Sequence, residues 1–325
     1  MIKTRITELF GIEKPIIGGC MMHISGPEFV AAISNTGAMG LMASAMFPSQ
    51  EEFREAVRNV KELTDKPFGV NLSLFPALRP IDNELYVEVI LEEGVSVVET
   101  SGRRPSEEML TKLKEAGIKT MHKCVSVRHA LSAERAGVDA VTVFGSEGGG
   151  HIGEFGLSSL ILVPRAADVV EIPVIAAGGI ADGRGLLAAL TLGAEGVMIG
   201  TCLLVTKECP IHENLKQALV AATEMDTMPV LGSLKNSLRA WTNPAALRVA
   251  ELESSGGDLN EVLNLVAGTN LKEMIDHGDI DAGVIACSQG IGLVEKIRSV
   301  SEVIQEMMEV AEEITDQMQT KQGGI

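Results

Sequence analysis

Val138-Asp139-Ala140-Val141-Thr142-Val143-Phe144 runs directly into Gly145-Ser146-Glu147-Gly148-Gly149-Gly150-His151-Ile152-Gly153. The first seven residues are rich in β-branched side chains and read as a strand buried on both faces of a parallel sheet. The glycines then stand at the carboxyl end of that strand, the end at which α/β proteins bind ligands. Glycine lets backbone approach a ligand closely and reach positive φ; a loop that only connects seldom needs three in a row. His151 is therefore the first candidate for chemistry, since imidazole exchanges protons near neutral pH.

Working outward from this strand, short apolar runs alternate with helical patterns from the start of the chain to about residue 210, the signature of repeated βα units. Strands are expected at Pro15–Gly19, Gly40–Ala43, Phe68–Leu72, Val95–Glu99, Lys119–Lys123, Val138–Phe144, Pro173–Ala177 and Gly196–Gly200. Helices are expected over Pro27–Asn35, over Ser49–Leu63, where Ser49 and Glu52 have capping-box spacing, and over Ser126–Gly137. Eight units predict an α/β chain folded as a (β/α)8 TIM barrel. An open doubly wound sheet is the other arrangement of such units, but glycine-rich turns follow the first, sixth, seventh and eighth strands, which suits a ring of loops around one mouth.

After residue 210 the rhythm fails. Helical patterns at Glu213–Thr223 and Asn243–Glu253, with a break at Ser254–Asp258, predict a small helical domain over residues 211–290 that covers substrate. Ser299–Gln317 is amphipathic and suits the last outer helix, so the barrel is expected to comprise residues 1–210 and 291–325, with Thr320–Ile325 as a frayed tail.

Composition narrows the function. The formal net charge is -17 over 325 residues, which argues against a nucleic-acid surface. No apolar run reaches the roughly 18 residues of a membrane span, and the opening residues have no signal-peptide pattern. A cytoplasmic protein with a small-molecule substrate, no nucleic-acid partner and no membrane is expected, and a homodimer is open to it. Cys20, Cys124, Cys202, Cys209 and Cys287 are scattered and lack C-x-x-C spacing, so neither a disulfide framework nor a metal site is expected.

The loops after the last two barrel strands commonly bind phosphate through backbone N–H groups. Here they read Ala177-Gly178-Gly179-Ile180 and Gly200-Thr201. A flavin on that phosphate would lay its ring near Gly18-Gly19-Cys20-Met21-Met22 and Asn71. Lys123 in the same mouth could offset negative charge on the flavin or pair with a rim carboxylate such as Glu99 or Glu147.

The chain resembles the nitronate monooxygenase (2-nitropropane dioxygenase) family, which also contains flavin-type enoyl-acyl carrier protein reductases and NADH:quinone reductases. The resemblance rests on Asp65–Asn71, His122-Lys123-Cys124, Gly148-Gly149-Gly150-His151, Ala176–Gly183 and Gly193–Thr201. It implies FMN across the barrel mouth, held by Gly19, Cys20, Met21, Asn71, Lys123, Gly149, Gly150, Ala177, Gly178, Gly179, Gly200 and Thr201, with His151 catalytic. It departs from the family after the first strand, where many members have Gln-Gly-Gly-Met and this chain has Gly18-Gly19-Cys20-Met21 without the glutamine, and at Met198, where relatives often carry Gln or Asn. Cys20 and His23 would then bring unusual polar groups to the ring. Oxidation of alkyl nitronates by oxygen is the leading expectation. The alternative is reduction of an enoyl thioester or quinone with NADH or NADPH as co-substrate, to which Thr64–Asn71 and the Gly-Gly-Gly-His-Ile-Gly loop lean. A flavin-binding regulatory subunit is the third class.

Overall fold

Thr4 and Thr7 exchange side-chain and backbone hydrogen bonds in a capping box that starts the helix Arg5–Phe10. Ile6 and Phe10 on its inner face plug one end of a closed barrel in the computed structural model, which describes residues 2–75 and 82–322. The barrel strands are β1 (Ile16–Gly18), β2 (Met39–Ala43), β3 (Gly69–Leu74), β4 (Val97–Gly102), β5 (Lys119–Cys124) and β6 (Ala140–Phe144). Past a two-residue strand β7 (Gly150–His151), β8 (Val174–Ala177) and β9 (Gly196–Ile199) complete it. All eight pairings are parallel, and Ile17 beside Met198 closes β1 on β9. The (β/α)8 TIM barrel expected from the sequence is the observed fold, with only small shifts at strand ends.

Alternation along each strand decides what faces inward. Ile17, Leu41, Val97, Met121, Ala140, Ile175 and Met198 fill the barrel interior above the plug. One step nearer the carboxyl ends the ladder pairs Asn71 with Glu99 and Ser101 with Lys123, so polar side chains replace the aliphatic ones there. Outward-facing residues pack under the helices, several of which are capped as the sequence suggested. Ser49 accepts from the N–H of Glu52, Asn243 from that of Ala246, and Gly137 ends its helix at φ 99°. The last helix, Val300–Gln322, lies so close to Gly183 that a Cβ there would stand 2.4 Å from the Met307 carbonyl oxygen. It runs past Thr320, where a frayed tail was expected; residues 323–325 lie outside the described residues.

The segment after residue 210 is not helical throughout. Strands β10 (Thr227–Val230) and β11 (Leu238–Trp241) form an antiparallel sheet in the order β10-β11-β7, beside helices Pro244–Ser255, Leu259–Leu265 and Gly268–His277. Pro229 hides β10 from a sequence reading, because proline argues against a strand unless it lies at an edge, which is where β10 lies. A separate apolar core of Val230, Ala240, Ala246, Val249 and Val262 holds this segment together. Thr206 and Arg298 face one another in a parallel bridge, so the chain leaves the barrel and rejoins it at neighbouring points.

Candidate active site

The glycine loop after β6 is tied down on three sides. Gly145 donates its N–H to the Ala177 carbonyl at 2.9 Å, and Gln289 donates to the Glu147 carbonyl at 3.0 Å. The Glu147 carboxylate accepts from the Ser158 hydroxyl at 2.8 Å and from the Ser159 N–H and hydroxyl at 3.0 and 2.9 Å. Glu147 is thus committed to the start of the helix Ser159–Ala167 and is no partner for Lys123. Gly149 passes so near the chain at Cys287 that a Cβ would meet its backbone at 2.6 Å, which is why no larger residue fits.

His151 emerges from this loop in β7 and pairs with Leu238 across the antiparallel ladder. Its ring stacks at 5.0 Å and a 36° tilt on Phe75, and its Nδ1 is buried with no hydrogen-bond partner. Burial lowers the pKa of His151, a contact with the backbone of Asn236 partly restores it, and the charge of Lys123 lowers it further. Burial and the charge of Lys123 thus favour the neutral imidazole, and the residue lines the cavity described next.

A cavity of about 880 Å³ opens over the carboxyl ends of the strands. It is near the top of the roughly 300–1,000 Å³ range of small-molecule sites. The structure brings His151, Gly19, Cys20, Met21, Asn71, Lys123, Gly149, Gly150, Gly178, Gly179, Gly200 and Thr201 to its wall. Ala177 is the exception: its side chain faces the barrel interior and is fully buried beneath the wall, because alternation turns it inward at the last residue of β8. His23 does not line the cavity either. Its φ of 63° turns it toward the helix Gly268–His277, where its Nε2 lies 3.0 Å from the position of a Gly268 Cβ.

The proposed phosphate corner has suitable chemistry. Gly178 and Gly179 adopt φ of 102° and 73°, conformations that side-chain-bearing residues rarely take. At Gly200 a Cβ would find only the Met21 sulfur within 4 Å, at 3.9 Å, so the space above this backbone is open. Thr201 accepts a hydrogen bond from the Ser288 N–H at 2.9 Å and lines the cavity beside Gly200. Those features fit an FMN phosphate on the last two loops.

The floor differs from the sequence expectation. Glu99 is not on the rim: it is fully buried, accepts from the Asn71 amide at 2.6 Å and lies 3.5 Å from the Lys123 ammonium. Lys123 also stands 5.9 Å from the centre of the Phe144 ring. Cys20, half-buried nearby, is pushed up to about 12 by burial and by the charge of Glu99, so it remains a neutral thiol. Sequence reading missed the outer wall altogether, where Phe75, Val125, Leu231, Leu238 and Val284 supply apolar surface. At the mouth stand Arg128 and Lys235, both exposed and without an ion-pair partner among the described residues. A more open groove of about 530 Å³ beside the last helix, lined by Lys207, Arg298 and Glu302, contains none of the candidate residues.

Residues 3–86 and 81–310 match the family described as "Nitronate monooxygenase". The chain belongs to the nitronate monooxygenase family. It is 32% identical to the (3aS,4S,5R,7aS)-5-hydroxy-7a-methyl-1-oxo-octahydro-1H-indene-4-carboxyl-CoA dehydrogenase of Rhodococcus jostii, over 93% of this chain and 94% of the relative. It is 35% identical to a probable nitronate monooxygenase of Staphylococcus aureus, over 70% of this chain and 74% of that one. Among solved structures, FabK from Thermotoga maritima superposes with a TM-score of 0.92 at 34% identity, covering 99% of this chain and 100% of that chain. This family member is an oxidoreductase, as its relatives are. None of its described helices is long and apolar enough to cross a membrane.

Proposed function

We propose that this protein is an FMN-dependent oxidoreductase that reduces the 2,3-double bond of an acyl thioester with NADH or NADPH. In balance, the enoyl thioester, NAD(P)H and one proton give the saturated thioester and NAD(P)+. FMN, when bound, supplies two-electron hydride chemistry. Gly178, Gly179, Gly200 and Thr201, which line one corner of the cavity, would hold its phosphate, and Asn71 and Lys123 would contact its ring. His151, on the cavity wall, would carry the proton that is exchanged at the carbon beside the thioester carbonyl. The apolar outer wall excludes water from that exchange.

The observation that carries this reading over nitronate oxidation is the mouth of the cavity. Lys235 holds a left-handed backbone, φ 52°, which costs a non-glycine residue roughly 1–2 kcal/mol. Strain at such a position points toward function. A small nitronate bound beside His151 has no use for two cations at the entrance, whereas the phosphates of a CoA-type thioester do. The carboxyl-CoA relative, similar over nearly its whole length, supports the same substrate class. Nitronate oxidation is the second reading, favoured by the Staphylococcus relative.

The test is anaerobic stopped-flow on the flavin-loaded protein with NADH, NADPH, a medium-chain 2-enoyl-CoA and propyl-2-nitronate. Bleaching of the flavin by a nicotinamide nucleotide and its return on adding enoyl-CoA are expected. Bleaching by the nitronate, with no return on adding enoyl-CoA, would overturn the reading.

A further inference from the structure

Among the described residues Glu99 is the one fully buried carboxylate. An isolated carboxylate taken out of water costs several kcal/mol, so apolar side chains would serve a merely structural layer better. The ladder places it between the two polar groups that face the cavity floor: Asn71 is its direct neighbour on β3, and Lys123 pairs with Ser101, two residues along β4. Its Oε2 accepts from the Asn71 Nδ2, which also reaches the Ser101 hydroxyl at 3.3 Å. Its Oε1 has no hydrogen-bond partner and faces the Lys123 ammonium at 3.5 Å.

We infer that Glu99 is a positioning residue that fixes Asn71 as a hydrogen-bond acceptor toward the cavity and offsets the charge of Lys123 beneath the bound ring. With both amide protons drawn to Glu99 and Ser101, Asn71 has only its Oδ1 left to present. With Glu99 beside it, Lys123 stabilises a reduced, negatively charged ring less than a lone ammonium would. Glu99 thereby sets how readily the site gives up a hydride, without touching substrate. The effect on the ring rests on the FMN reading above; the charge relation among Glu99, Lys123 and Cys20 does not.

Two variants with opposite charge changes decide the matter, each read in two ways. Glu99→Gln keeps the shape and an acceptor for Asn71 but removes the charge; Lys123→Met removes the opposing charge. In the flavin-loaded protein, Glu99→Gln is expected to raise the midpoint potential by ~30 mV or more, a tenfold change for a two-electron couple, and Lys123→Met to lower it. In flavin-free protein, alkylation of Cys20 by iodoacetamide at pH 9, followed by mass spectrometry of its peptide, is expected to be several-fold faster in Glu99→Gln and slower in Lys123→Met. Wild-type midpoint and alkylation in Glu99→Gln overturn the inference, as do changes of the same sign in both variants, which mark altered packing. If the purified protein takes up no FMN, the proposed function fails while Cys20 still decides the role of Glu99.

Discussion

His151 and Leu238 lie directly opposite one another in an antiparallel pair, so the candidate catalytic ring is held by a strand that comes from the segment appended to the barrel. The N–H of Ile152 donates to the Ser237 carbonyl at 3.1 Å and continues the pairing. Barrel and appendage therefore meet at the histidine itself, and the cavity wall on that side is built from both.

Replacing His151 with Ala should leave the flavin site intact, because the phosphate corner is built from the backbone of the next two loops and not from the imidazole. Turnover is expected to fall by roughly 100-fold or more, the usual weight of a general acid-base group. Flavin absorbance after gel filtration and steady-state rates measure the two effects separately. A variant that loses flavin would show the ring to be structural.

The phosphate corner can be tested with two glycines that behave differently. At Gly178, φ is 102° and a Cβ would approach the Gly145 carbonyl oxygen to 2.9 Å, so Gly178→Ala should destabilise even the flavin-free protein by about 2–3 kcal/mol. Gly200 has open space above it, so Gly200→Ala should cost about 1 kcal/mol or less in urea denaturation. Yet a methyl there stands where the phosphate should lie, and FMN affinity is expected to drop tenfold or more. Unchanged affinity in Gly200→Ala would move the phosphate elsewhere.

Sequence reading reached the eight strands because most of them are short apolar runs bounded by glycine or by a helix cap, and because local chemistry alone makes those signals. It reached most of the cavity wall for the same reason: loops at strand ends are identified once the strands are. It failed where a residue's direction or a distant partner decides. Ala177 and Glu99 lie in correctly placed strands, but their inward orientation removes one from the wall and buries the other. A carboxylate inside Val97-Val98-Glu99 was itself a signal, since charged residues are almost never fully buried unless paired. His23 is turned away by one left-handed residue, and the outer wall comes from β11 and the chain near Val284, which no local pattern links to the barrel.

His122 couples the barrel to pH. It faces outward from β5, is 4% exposed, and contacts the Thr100 hydroxyl through Nδ1 at 2.8 Å. Burial, with the nearby charge of His129, lowers it to about 4. The folded protein then binds fewer protons than the unfolded chain between about pH 6.5 and pH 4, so stability present above pH 6.5 is lost as pH falls through that window. The loss reaches about 3 kcal/mol for this group. Urea denaturation at pH 7.5 and pH 4.5 should show the fall, and His122→Gln should reduce it by most of that amount. An equal slope in the variant would assign the acid sensitivity to other groups.

Arg128 and Lys235 bear most directly on substrate. They enter the same cavity mouth from two parts of the chain that both touch the His151 strand: Gly153 stacks on Val125 three residues before Arg128, and β11 begins three residues after Lys235. Each exposed cation on a phosphate should contribute about 1 kcal/mol, and 1.4 kcal/mol is tenfold. The double variant Arg128→Gln, Lys235→Gln is therefore expected to raise KM for enoyl-CoA roughly tenfold or more with little change in kcat, and to weaken its dependence on salt. Lys235→Gly separates strain from binding. Glycine accepts φ 52° without penalty, so this variant should be more stable than the parent by up to about 1 kcal/mol while binding the thioester less well. A variant that gains stability and keeps its KM would mean that the left-handed lysine serves the fold of the turn, and would remove the main reason for placing a phosphorylated substrate at this mouth.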